Sequence, residues 1–66
     1  MIKDADGNIL HDGDRVFGYD VKDNEYQKIY GTLCISDHHL TFGQWCVDYD
    51  DGESFIVLDF KAIWKA

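Results

Sequence analysis

The chain has no proline at all, and so lacks the residue that breaks helices and blocks pairing within sheets. Cations are scarce. Six lysines and arginines stand against 13 aspartates and glutamates, for a formal charge of −7. Nucleic-acid binding needs a cationic surface that displaces counterions from phosphates, so no direct nucleic-acid partner is expected. Two cysteines, Cys34 and Cys46, are too few for the disulfide framework of a small secreted protein. No apolar run approaches the roughly 20 residues of a membrane span, and no charged-then-apolar leader opens the sequence. A cytoplasmic protein without membrane contact is the expectation.

What is present is apolar enough to fold. Hydrophobic residues make up 45% of the chain and aromatic residues 15%, which excludes a disordered acidic tail. Sixty-six residues without linker, repeat or low-complexity stretch read as one domain, 1–66, near the lower size limit for self-sufficient folding. A protein partner or a second copy of the chain is expected to add stability.

Helical periodicity is absent and alternation with period two dominates. The stretch RVFGYDVK, residues 15–22, reads as the first strand. Val16 and the Phe17/Tyr19/Val21 set fall on opposite faces there, and Gly18 is expected to mark a bulge that reconciles them. DNE at 23–25 reads as a turn. YQKIYGTLCIS then forms a second strand, with Ile29, Gly31, Leu33 and Ile35 on one face and Tyr26, Lys28, Tyr30, Thr32 and Cys34 on the other. DHH turns the chain into a third strand from Thr41 to Tyr49. DDG at 50–52 is the clearest hairpin signal. It leads to ESFIVLDF, and KAIWK supplies a 3₁₀ turn followed by a closing strand. Five short strands on tight turns predict an all-β fold, a small five-stranded barrel whose closure removes exposed edges.

Two stretches carry a resemblance. DADGNILHDGDRV places Asp4, Gly7, Leu10, Gly13, Asp14 and Val16 in the pattern Asp-x-x-Gly-x-x-Leu-x-x-Gly-Asp-x-Val. It resembles the N-terminal signature of YopX-like proteins, small phage-associated proteins with a β-rich fold. WCVDYDDGESF resembles a strand–turn–strand of SH3-like barrels, Tudor-type modules included. Together they span between a third and a half of the chain. The resemblance implies an SH3-like barrel from a phage or mobile element and transfers no catalytic site.

Several constellations invite chemistry. DADGN looks like the start of a calcium loop, with Asp4, Asp6 and Asn8 as oxygen donors. Ile9, however, stands where such a loop needs glycine, and Arg15 where it needs glutamate. Asp4 and Asn8 are instead expected to hold turn backbones, with the glycines at positive φ. Cys34, His38, His39 and Cys46 offer zinc ligands, but each cysteine stands alone on its strand. A turn at His38-His39 leaves the two cysteines out of register, so no metal and no other cofactor is expected. Ser36, Ser54 and the cysteines carry no nucleophile signature. The Asp48/Asp50 pair lacks a pocket in so small a domain, and no enzyme is expected.

The remaining leads are surface features. Asp48, Asp50, Asp51 and Glu53 cluster at one hairpin, and Asp4, Asp6, Asp12 and Asp14 near the start. Carboxylates spaced along a surface can occupy a basic channel in place of phosphates. Tyr19, Tyr26 and Tyr30 are candidate aromatic anchors, and rings grouped with carboxylates attract cations. The sequence thus predicts a non-catalytic acidic binding module for a protein with a basic surface. In the phage setting this is an inhibitor occluding a host nucleic-acid-handling protein. A Tudor-like reader of methylated or arginine-rich peptides is the alternative.

Overall fold

The computed structural model describes residues 1–66. Seven strands run in the order β1 (Ile2–Lys3), β2 (Ile9–Leu10), β3 (Arg15–Lys22), β4 (Glu25–Ile35), β5 (Trp45–Tyr49), β6 (Ser54–Ile56) and β7 (Trp64–Lys65), with a 3₁₀ turn at Phe60–Ala62 before the last. The protein is all-β. β1 and β2 pair as a small separate hairpin, and the other five form one antiparallel sheet in the order β6-β5-β4-β3-β7. No helix is long and apolar enough to cross a membrane.

Each turn follows from its residues. Asp23 and Asn24 both take positive φ, 53° and 64°, the type I′ geometry whose twist suits a two-residue hairpin. Asp and Asn tolerate that region because their short polar side chains do so at low cost. At the next hairpin but one, Gly52 has φ 94°, and the Tyr49 N–H donates to the Glu53 carbonyl at 2.7 Å. The 3₁₀ turn is capped by Asp59, whose carboxylate accepts from the Lys61 N–H at 2.9 Å.

The core lies on one face of the sheet. Leu10, Val16, Leu33, Val47 and Ile63 form its buried centre, with Ile2, Trp45, Tyr49, Val57 and Phe60 packed around it. Leu33, Val16 and Val47 are the largest side chains fully removed from solvent. Each contributes about 1.5–3 kcal/mol by burial.

Four sequence expectations need correction. The β3–β4 register is unbroken from Arg15↔Thr32 to Lys22↔Glu25, so Gly18 marks no bulge. Val16 simply faces the core while Phe17 and Tyr19 build an aromatic layer on the opposite face. Gly18 sits in ordinary packing, where a Cβ would meet the Ala62 carbonyl at 3.5 Å and the Tyr49 hydroxyl at 3.8 Å. The third strand of the sheet begins at Trp45, not Thr41. Residues 37–44 form a loop closed by the Ser36 N–H to the Gln44 carbonyl at 2.7 Å and by a Ser36–Thr41 hydroxyl pair at 2.7 Å.

That longer loop centres the hairpin one residue beyond His39, and Cys34 and Cys46 become direct cross-strand partners. They are in register after all. Finally, the sheet does not close as a barrel. β6 ends at Ile56, where the chain leaves toward the 3₁₀ turn, and Leu58 is left exposed. β6 and β7 therefore remain the two edges of an open, five-stranded sheet.

The N-terminal segment is anchored by one side chain. The Asp4 carboxylate accepts from the backbone N–H groups of Asp6 (2.9 Å), Asn8 (2.7 Å) and Lys65 (2.8 Å), and from the Asn8 amide (3.1 Å). Gly7 and Gly13 take φ of 84° and 91° in the turns on either side of β2. DADGN is a turn motif, as its spacing predicts.

Candidate functional site

The β5–β6 hairpin and the end of β3 build an acidic, aromatic cleft. Tyr49 closes β5 on the core side, and its ring meets Phe55 of β6 edge-on, with centroids 6.0 Å apart. The tight turn between them carries Asp51 and Glu53, and Asp51 accepts from the Glu53 N–H at 3.0 Å. Asp20 comes from β3, in the same alternation that points Val16 and Gly18 to the core side. Gly18, Tyr19, Asp20, Ile29, Tyr49, Asp51, Glu53 and Phe55 line a cleft of about 110 Å³.

Three of those residues are carboxylates and none is a lysine or arginine. The field is felt locally: burial, then the charges of Asp20 and Asp51, push the Tyr49 phenol above its ordinary pKa. A volume of 110 Å³ is well below the roughly 300–1,000 Å³ of small-molecule sites. It suits a single side-chain head group.

The residues expected from the sequence are divided among several places. Asp51 and Glu53 reach this cleft, while Tyr19 borders it with its ring turned to the aromatic layer on the opposite face. Asp50 does not. It forms a two-pronged ion pair with Arg15, at 2.9 and 2.6 Å, on the opposite face of the sheet. That hydrogen bonding holds the Asp50 carboxyl below and the Arg15 guanidinium above their ordinary pKa values. Asp48 is likewise engaged, accepting from the Ser54 hydroxyl at 2.5 Å and facing the Cys34 thiol at 3.6 Å.

Tyr19 and Tyr30 stand beside Phe17, whose ring also stacks on Trp64 at 5.7 Å. Lys28 places its ammonium 3.9 Å from the Phe17 centroid, so this aromatic layer already holds a cation of the chain itself. Tyr26 stands apart from these rings, 80% exposed. Asp20, Tyr49 and Phe55 were missed by sequence reading. Asp20 precedes Asp51 by 31 positions in the chain, and only the β3–β4–β5 register brings it to Asp51.

A second concavity lies on the opposite face, between β4, β5, β6 and the loop at 37–44. Its volume is about 590 Å³, larger than so short a chain was expected to offer. Cys34, Cys46 and Asp48 line it with His38 at its rim. The two sulfurs are 2.9 Å apart. Burial, followed by the neighbouring Cys46 and Asp48, pushes the Cys34 thiol up to about 12. An activated nucleophile needs the reverse shift.

No family model matches this chain, and no curated protein or solved structure matches it either.

Proposed function

We propose that this protein is a non-catalytic binding module whose acidic cleft receives a cationic side chain from a basic protein partner. The observation that carries this reading is the meeting of Asp20, Asp51 and Glu53 around Tyr49 and Phe55. An ammonium or guanidinium entering the cleft meets aromatic rings and three carboxylates, and each cation–π contact contributes about 0.5–2 kcal/mol. The net charge of −7 favours encounter with a basic surface at long range.

The fold reading is an SH3-like domain. The meander β3-β4-β5-β6, the 3₁₀ turn and the return of β7 to pair with β3 support it. Lysine methylation strengthens cation–π recognition by desolvating the charge, which makes methylated or arginine-rich peptides natural probes. The same cleft and charge suit an inhibitor that occupies a basic surface of a nucleic-acid-handling protein.

The test is titration of the protein with lysine-, trimethyllysine- and arginine-containing peptides, followed by calorimetry at several salt concentrations. Binding should weaken as salt rises. The Asp51→Lys/Glu53→Lys variant should lose at least tenfold in affinity, about 1.4 kcal/mol. Asp50→Asn should bind as the parent does, because Asp50 serves Arg15 instead. Binding unchanged by the double reversal would overturn the proposal.

A further inference from the structure

The concavity on the opposite face contains a set of donors that the acidic cleft does not use. We infer that Cys34, Cys46 and Asp48 form a three-ligand site for a thiophilic divalent ion of the zinc type. The site is independent of the cleft around Tyr49, so either can fail without the other.

Strand register makes the site. Cys34 and Cys46 face each other across β4 and β5, and Thr32↔Asp48 is the next pair but one along the same ladder. Residues two apart on a strand share a face, so Asp48 projects on the same side as Cys46. The ligand atoms of all three residues lie within 4.8 Å of one another.

Distances suit the chemistry. Tetrahedral zinc holds thiolate sulfur at about 2.3 Å and carboxylate oxygen at about 2.0–2.2 Å, so ligand atoms sit roughly 3.5–3.8 Å apart. The Cys34 sulfur and the Asp48 Oδ2 atom are already 3.6 Å apart. The two sulfurs, at 2.9 Å, need only small side-chain rotations to separate by a further ångström or so.

The carboxylate is also oriented from outside. Ser54 donates its hydroxyl to Asp48 Oδ1 at 2.5 Å, leaving Oδ2 turned toward the thiols. Such outer hydrogen bonds fix metal ligands in place. His38 lies at the rim, but its Nδ1 atom accepts from the Leu40 N–H at 3.3 Å. The ligand atoms that converge are those of Cys34, Cys46 and Asp48, which leaves His38 outside the ligand set. The fourth position opens into the cavity, where water or a partner's donor can occupy it. Two thiolates beside a carboxylate select a borderline-soft ion over calcium or magnesium, which require oxygen ligands.

The test uses the reduced full-length protein titrated with Co(II) and Zn(II). Co(II) should produce sulfur-to-cobalt charge-transfer bands and tetrahedral d–d bands at one ion per chain, and Zn(II) should displace it. Zn(II) should raise the thermal midpoint progressively with concentration, as linkage requires. Cys34→Ser and Cys46→Ser should abolish the charge-transfer bands of a bis-thiolate site. Asp48→Asn should weaken binding at least tenfold, and Ser54→Ala by about 10–100-fold. His38→Ala should bind as the parent does. Absence of thiolate bands in the parent protein overturns the inference even if a cysteine variant fails to fold. Bands that survive in a folded Cys34→Ser variant, or vanish in His38→Ala, overturn the ligand assignment.

Discussion

The carboxylate of Asp4 accepts a hydrogen bond from the backbone N–H of Lys65 at 2.8 Å, joining residues 61 positions apart. It thereby fastens the turn between β1 and β2 to β7, while the Ala5 N–H donates to the Ile63 carbonyl at 3.0 Å beside it. A side chain that the sequence marks as a turn residue does hold its turn, and it also clasps that turn to β7.

That clasp predicts a pH dependence. Burial alone would raise the Asp4 pKa. Hydrogen bonds from Lys65, Asn8 and Asp6 outweigh it and lower the group from 3.8 to about 2. A depressed carboxyl contributes stability that is complete above its ordinary pKa and is lost as pH falls through the folded value. The stability gap between parent and Asp4→Asn should therefore be full near neutral pH, shrink as pH falls through 3.8 and reach its minimum only below about 2. Denaturant melts at a series of pH values measure it. A gap that stays constant across that range would contradict the assignment.

Gly31 should be intolerant of any side chain. A Cβ there would lie 2.5 Å from Val47 Cγ1 and 2.8 Å from the Asp48 carbonyl, and the carbonyl cannot move without breaking the β4–β5 ladder. Gly31→Ala is expected to destabilise by about 1–3 kcal/mol or more through overpacking. Gly7→Ala meets nothing within 4 Å and suffers only from its φ of 84°, so its loss should be smaller. Paired chemical denaturation of the two variants decides the order.

Tyr49 should ionise above the ordinary range of a tyrosine phenol. Its phenol is raised by burial and then by Asp20 and Asp51. Ultraviolet difference titration should show one phenol ionising late in the parent. In the Asp20→Asn/Asp51→Asn variant that step should move to lower pH, with burial keeping it above the ordinary phenol range. No movement would mean that the carboxylates do not face the ring.

The aromatic layer predicts a contrast between two rings. Phe17 contacts Tyr19, Tyr30 and Trp64 and lies beneath the Lys28 ammonium. Phe17→Ala should cost about 2–3 kcal/mol, below the value for a fully buried ring. Tyr26, exposed and without a ring neighbour, should change stability by less than about 0.5 kcal/mol when replaced by alanine. Thermal melts of both variants test the difference.

Much of this was legible in the sequence because it depends on neighbours along the chain. Alternation placed Leu33 and Ile35 opposite Tyr30 and Thr32, and the DDG and DNE turns appeared where the residues tolerate positive φ. The 3₁₀ turn and final strand followed from the KAIWK stretch. Loop length was not legible. Eight residues at 37–44 close through hydroxyl and backbone bonds that no local spacing announces, and one misplaced turn misaligned the cysteines.

The sequence by itself determined an acidic, all-β chain and the turns that let its strands pair, since those are properties of composition and of residues a few positions apart. Only the tertiary structure decided which acids are available. Asp50 is taken by Arg15 and Asp48 is turned by Ser54 toward the cysteines, while Asp51 and Glu53 line one cleft with Asp20. The reason is register: a shift of one residue moves every side chain of a strand to the other face. That shift is fixed by contacts between residues distant in the chain.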